Sequence, residues 1–311
     1  MPGRAIAAIL ASAGADVILH DISTSALAGA AAAVTDEAAR LHAERPGEGE
    51  RAGAVGTVSA TADLAQAVRG ADLVVEAVTE DLAVKQDLFA AVSAAAPATA
   101  VLATNTSVLP VTAIAAHAVS PERVIGTHWW NPPSLIPVVE VVPGERTSPA
   151  VTRRVTAELE RLGKLPVLVG RDTPGFIGNR LQHALWREAV ALVAEGVCDA
   201  ATADLVARNT IGLRLARMGP LENADYVGLD LTIAIHDAVF PALSNGMRAS
   251  GLLRGLAARG LLGASTGQGL LPWPPGAREA AARGLAAHVS RQAPSRQARS
   301  CEEIRTNPEE D

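Results

Sequence analysis

The sequence predicts a doubly wound parallel α/β sheet followed by an all-helical domain. Short runs rich in Val, Ile and Leu alternate through the first half with Ala/Leu-rich stretches of helical period. That alternation ends at an apolar run over residues 165–169. Beyond R-D-T-P-G-F (171–176) the pattern is helical throughout. Strands spaced by helices must cross over in one direction, which makes the sheet parallel and covers both of its faces.

The elements follow in order. A helix over 4–13 ends at Gly14, then D-V-I-L-H (16–20) reads as a strand and 25–44 as a helix. A Gly/Pro/charged loop over 45–56 leads to a short strand near Val58, a helix over 62–69, a strand over 73–77 and a helix over 82–94. A strand over 100–103 runs into T-N-T-S (104–107). Two apolar runs, 124–128 and 138–142, are joined by a Pro-rich turn. The helical half opens with a long helix over 176–195, on which Asn179 and His183 stand i, i+4; a solvated or interdomain face is the ordinary reason for such a pair. Helices around 200–209, 221–243 and 252–259 follow, and the polar, aperiodic end reads as a disordered tail. The expected domains are residues 1–170, 171–290 and the tail 291–311.

Composition narrows the function classes. The 311 residues suffice for two domains with their own cores. A net charge of −6 with no Lys/Arg run argues against a nucleic-acid surface. Two cysteines, Cys198 and Cys301, give neither a disulfide framework nor zinc spacing, so no metal is expected. Apolar stretches fall short of a membrane span and the N-terminus lacks a signal-peptide pattern, so the expected location is cytoplasmic.

The chemistry concentrates in G-T-H-W-W-N-P-P-S-L-I-P-V-V-E (126–140). Two β-runs joined by a turn bring His128 and Glu140 side by side, as a general base and its orienting carboxylate require. A structural hairpin with a half-buried histidine is the alternative. Asp21 stands directly after a strand, where a dinucleotide-binding unit places the acid that takes the ribose hydroxyls and favours NAD over NADP. A turn or helix cap is its alternative. The Gly-rich turn that should precede Asp21 is represented by Gly3 alone; the first two glycines and the strand before them lie outside the sequence. A sheet without that central strand leaves unpaired groups on both neighbours. The expectation is therefore that the recorded start lies downstream of the true one.

These residues resemble the 3-hydroxyacyl-CoA dehydrogenase family from Gly3 to about Trp273. The likeness rests on D-L-V-V-E-A-V-T-E-D-L-A-V-K (72–85), N-T-S (105–107), H-W-W-N-P with V-E-V (128–132, 139–141) and D-T-P-G-F-I-x-N-R (172–180), then M-G-P (218–220) and D-Y-V-G-L-D (225–230). The resemblance implies a Rossmann-type domain lacking its first strand, NAD as cofactor, and oxidation of a 3-hydroxyacyl-CoA to a 3-oxoacyl-CoA in fatty acid metabolism. It implies that His128 is the base, Glu140 its orienter, and Ser107 and Asn179 the groups that position the substrate oxygen in an interdomain cleft. It places Gly3, Asp21, Glu80, Lys85, Ser107 and Asn131 at the cofactor, and it implies a homodimer through the helical domain. The structural alternatives are that Ser107 closes its turn, Asn179 caps an interdomain contact, Lys85 is a solvated helix lysine and the Trp129–Trp130 pair is packing.

The chain departs from the family's pattern in two places. Ser265 in G-A-S-T-G-Q-G-L-L-P-W (263–273) replaces a lysine. The segment 44–54 is short and acidic, and no lysine occurs between Asp21 and Lys85, a poor setting for the phosphates of CoA. The doubled proline of H-W-W-N-P-P is closer to relatives acting on small hydroxy acids or hydroxymethyl groups, so a substrate without CoA is the second reading. A non-catalytic protein that keeps the fold is the third.

Overall fold

The structure, a computed structural model, describes residues 2–44 and 54–303, with side chains to Arg291. Most of the acidic segment 44–54 and the end of the expected tail lie outside the described residues. Two compact units are present: residues 1–179 with the stretch from His288, and residues 180–287. The division falls after Asn179, later than the sequence boundary near 170, so the D-T-P-G-F turn and Asn179 belong to the α/β unit.

In the first unit α1 (Pro2–Ser12) is followed by β1 (Val17–His20), α2 (Thr24–Leu27) and α3 (Ala30–Ala43). The single helix expected over 25–44 is broken at Gly29, whose φ of +70° is cheap for glycine and closed to most other residues. Then come β2 (Val58–Thr61), α4 (Leu64–Val68), β3 (Leu73–Glu76), α5 (Leu82–Ala95), β4 (Val101–Thr104) and α6 (Val111–Ile114). The unit continues with β5 (Val124–Trp129), β6 (Val138–Pro143), α7 (Pro149–Arg161) and β7 (Leu165–Leu168). The sequence reading leaves α7 unassigned, although its start signal is present: the Ser148 side chain accepts from Val151 N–H and proline occupies the first turn.

The sheet is in two pieces. β1 pairs in parallel with β2, while β3, β4, β5, β6 and β7 form a separate five-stranded sheet in that order. All its pairs are parallel except β5–β6. Among the described residues β1 and β3 each have one strand neighbour. Helix α1 ties the pieces together. Its Ile6 and Ile9 pack with Val101, Ile125 and Val139 of the larger sheet, while Ala7, Ala8 and Ala11 meet Val34 and Ala38 of α3 and Val17 and Leu19 of β1. The opposite face of the larger sheet is closed by Phe89 and Val92 of α5 and by Val111 and Ile114 of α6. Helices thus cover both faces, and period-2 alternation decides which side chain meets which helix.

The second unit takes most of α8 (Gly178–Ala194), then α9 (Ala200–Asn209), α10 (Ile211–Leu215), α11 (Pro220–Val227), α12 (Leu229–Val239), α13 (Gly251–Ala258) and the start of α14 (Ala277–Glu303). The helix expected over 221–243 is two, parted at Gly228. α14 continues past 291 to Glu303, so the first part of the segment read as a disordered tail is helical. No side chain of residues 180–287 is buried, and Leu205, Leu213, Leu221, Leu229 and Ile233 are each at least half exposed. No described helix is long and apolar enough to cross a membrane.

Candidate active site

The β5–β6 hairpin fixes the pair that the sequence singled out. The two strands run antiparallel in a register that sets His128 directly opposite Glu140. Both side chains lie on the face that carries Val124 and Val142, the face of α5 and α6. His128 and Glu140 are 4% and 3% exposed, so neither is a solvated surface group. His128 Nδ1 lies 2.7 Å from Glu140 Oε2. An ionised carboxylate accepts and does not donate, so Nδ1 carries the proton and the lone pair resides on Nε2. A histidine held this way can take a proton from a hydroxyl.

Glu140 is itself held from the other side. Its Oε1 accepts the backbone N–H groups of Ile177 and Gly178, at 2.9 and 3.0 Å, where α8 begins. The T-P-G-F turn aims these donors. Gly175 has a φ of +75° and Phe176, a non-glycine, a φ of +50°. A left-handed phenylalanine costs about 1–2 kcal/mol, and burial of its ring against the core at 1% exposure holds it there. Burial pushes the Glu140 carboxyl up, but the bonds from His128, Gly178 and Ile177 and the His128 charge outweigh it. The net position is below the ordinary glutamate value of 4.5. The imidazole is flanked by Trp130 and Phe176, with ring centroids 5.0 and 5.8 Å away. Trp130 in turn requires glycine at 178, because a Cβ there would lie 2.3 Å from its Cζ2.

The N-T-S turn after β4 is the second wall. Asn179 Nδ2 donates to the Ser107 carbonyl at 2.8 Å. Asn105, which the motif contains but the sequence reading left without a role, accepts the Trp129 N–H at 2.9 Å and ties the turn to the histidine strand. Glu80 clamps the turn from α5's side. Its Oε1 accepts from the Thr106 hydroxyl and from the Ser107 and Val108 N–H groups, the latter two at 2.8 and 3.0 Å. Burial raises the Glu80 carboxyl, and the Thr106, Val108 and Ser107 bonds, followed by the Lys85 charge, bring it below its ordinary value. His128, Glu140, Ser107 and Asn179 all lie within the first unit. His183 does not join them; it is exposed and packs against Trp186 on its own helix at 5.0 Å.

Lys85 is not the solvated helix lysine of the alternative reading. It is 1% exposed, and its Nζ lies 2.7 Å from Glu76 Oε1 and 3.3 Å from Glu80 Oε2. Glu76 also accepts from the Thr104 hydroxyl at 2.6 Å and the Val78 N–H at 2.7 Å. A buried lysine between two carboxylates pins the end of β3 to the turn before α5. The signal for it was readable: an acid ending the apolar run L-V-V-E, with a lysine one residue into the second turn of the next helix.

The remaining cofactor candidates are dispersed. Gly3 lies in the first turn of α1, where a Cβ would come within 3.3 Å of Ala77 Cβ, just past β3. Asp21 follows β1 and accepts the Ser23 N–H at 2.8 Å through Oδ1, so the turn role proposed for it is real and leaves Oδ2 as a second acceptor. Asn131 is exposed at the start of the β5–β6 loop.

Comparison with known proteins adds to this geometry. Residues 1–173 match the NAD-binding domain of 3-hydroxyacyl-CoA dehydrogenase, and residues 175–273 its C-terminal domain. A 5-formyl-3-hydroxy-2-methylpyridine 4-carboxylate 5-dehydrogenase of Mesorhizobium japonicum is 37% identical over 78% of this chain and 78% of its own. A probable 3-hydroxybutyryl-CoA dehydrogenase of Deinococcus radiodurans is 36% identical over 86% of this chain and 95% of its own. Among solved structures, the crystal structure of a 5-dehydrogenase of the first kind, described as an NAD+-dependent dismutase, superposes with a TM-score of 0.84 at 32% identity over 94% of both chains. The (S)-3-hydroxybutyryl-CoA dehydrogenase of Ralstonia eutropha gives 0.69 at 30% identity over 87% of this chain and 95% of that one.

Proposed function

The chain belongs to the 3-hydroxyacyl-CoA dehydrogenase family and is an NAD-dependent dehydrogenase acting on CH–OH; from that premise we propose that His128 is its general base and Glu140 the carboxylate that orients it. The observation that carries the proposal is the 2.7 Å bond between these two buried side chains. When bound, NAD supplies the hydride acceptor. His128 Nε2 takes the hydroxyl proton. The imidazolium so formed faces a carboxylate kept ionised by two backbone N–H groups, which act like an orienting acid in a catalytic triad. The Ser107 hydroxyl is offered to the substrate oxygen, and Asn179 acts through Ser107 by gripping its carbonyl. Gly3 and Asp21 would hold the pyrophosphate and the adenosine ribose, and Asn131 the nicotinamide end. Glu80 sets the turn between them, with Lys85 acting through it. The test is His128→Gln: turnover falls by about 10²–10⁴-fold while NADH affinity is kept. A variant retaining turnover sinks the assignment.

For the substrate, a 3-hydroxyacyl-CoA is the reading the family suggests. A small carboxylate-bearing alcohol without CoA is favoured by two observations. The chain has no lysine between Asp21 and Lys85, and it superposes over 94% of its length on a dehydrogenase named for a pyridine carboxylate. Comparing acetoacetyl-CoA with small free keto and formyl acids, all with NADH, separates the two. Turnover confined to the CoA ester ends the second reading.

Homodimerisation through the helical unit completes the proposal. Residues 180–287 bury no side chain of their own while exposing a long series of large apolar ones. Apolar surface on this scale exceeds what a monomer ordinarily shows to water, and a second copy offers the same helices in self-complementary form. Sedimentation equilibrium should show a dimer at micromolar concentration. A stable monomer with its helical unit folded argues the reverse.

A further inference from the structure

The loop from the His128 strand to the Glu140 strand contains Pro132, Pro133 and Pro137, none of which has an N–H to give. Two of its carbonyls, those of Pro133 and Ile136, accept from a single ammonium, Lys164 Nζ, the second at 3.2 Å. Lys164 stands between α7 and β7, and its position is fixed by the next residue, whose N–H donates to the Pro137 carbonyl at 2.9 Å. The same ammonium lies 5.6 Å from the ring centroid of Trp129, the residue after His128. The groups facing it are thus two carbonyls from the loop and one indole from β5. The loop holds no carboxylate, and among the described residues none of the charged side chains near the end of α7 (Glu158, Glu160, Arg161) pairs with it.

Resting on the function proposed above, we propose that Lys164 is a positioning residue of the dehydrogenase, whose ammonium fixes the loop bearing Trp130 and Asn131 and so sets cofactor affinity. The His128–Glu140 pair does not depend on it, because the β5–β6 ladder holds that pair through a register running from Ile125↔Pro143 to Trp129↔Val139. Loss of the anchor therefore separates binding from chemistry. The burial that makes the anchor effective also lowers the Lys164 pKa to about 8. The charged anchor is present below that value and is lost as pH rises through it.

The test uses the full chain with Lys164→Met and Lys164→Arg. In the Met variant KM for NADH rises about tenfold, equivalent to about 1.4 kcal/mol, with kcat nearly unchanged, and amide exchange at Leu135 and Ile136 quickens. The Arg variant, which stays charged, restores KM and removes the rise in KM that wild type shows above pH about 8. Lys164→Gln replaces the Met variant if that one does not fold. An unchanged KM in the Met variant, or an Arg variant as impaired and as pH-dependent as Met, overturns the proposal. Absence of any NADH-dependent turnover by wild type would fail the dehydrogenase reading instead. In that case amide exchange decides, and unchanged exchange in the Met variant overturns the anchor.

Discussion

Replacing Glu140 by glutamine changes one atom and tests the orientation of the proposed base. The carboxylate serves three donors: His128 Nδ1–H through Oε2, and the Ile177 and Gly178 N–H groups through Oε1. A glutamine amide has one acceptor oxygen, so it must choose. Turning the oxygen toward His128 leaves two buried N–H groups facing an NH2. Turning it toward the helix end leaves only His128 facing the NH2. An unsatisfied buried donor costs about 1–3 kcal/mol, so the second orientation wins. The amide then donates to Nδ1, which must give up its proton, and the proton moves to Nε2. The base is present but in the wrong tautomer. By analogy with the acid-to-amide change in a serine-protease triad, kcat should fall by about 10³–10⁴-fold. The assay is NADH oxidation with a keto substrate, run beside NADH titration and thermal melting. Those controls should stay close to wild type, because the orientation that wins keeps both helix-end donors satisfied. A Glu140→Gln enzyme within about tenfold of wild-type kcat would refute the reasoning.

Three further outcomes are expected. Gly178→Ala drives a methyl into the Trp130 ring, costing about 1–3 kcal/mol. It also pulls the Gly178 N–H off Glu140, so the melting temperature and kcat should fall together. Lys85→Met leaves Glu76 buried without its cation, which costs about 3–5 kcal/mol and should appear as a melting temperature lower by about 10 °C or more; an unchanged melt would show that the pin is not structural. Acid stability follows from Glu140, whose folded pKa lies below its ordinary 4.5. Its stabilising contribution is full above that value and disappears as pH falls through the folded pKa. Acid unfolding followed by circular dichroism should therefore be less steep for Glu140→Gln than for wild type.

Much of the α/β half is legible in the sequence because its signals are local. Strands such as L-V-V-E and V-L-A-T announce themselves by apolar run length, and Asp63 and Asp81 mark helix starts by capping the Gln66 and Val84 N–H groups. The segments 25–44 and 221–243 read as single helices because a lone glycine inside an apolar pattern does not reveal the sign of its φ, and Gly29 and Gly228 both adopt a positive one. Helix α7 is hard to see in the sequence because its charged face, with Arg153, Arg154, Glu158, Glu160 and Arg161, dilutes the apolar stripe of Val155 and Leu159.

The sequence by itself determined which chemical groups are present and on which element each one rides: a histidine and a glutamate on facing strands, a serine in a turn, an asparagine at the head of a helix. It determined the family and the cofactor through motifs whose order and spacing are properties of the chain alone. The tertiary structure decided what those groups do to one another. Lys85 is buried rather than solvated because Glu76 and Glu80, from a strand end and a loop, converge on it. Glu140 is held on both sides because a left-handed Phe176 turns the Ile177 and Gly178 N–H groups toward it while His128 meets its other oxygen. Lys164, unremarkable in sequence, reaches the loop between the strands of His128 and Glu140. Hydrogen bonds depend on distance and angle between atoms far apart in the chain, and only the folded backbone sets those.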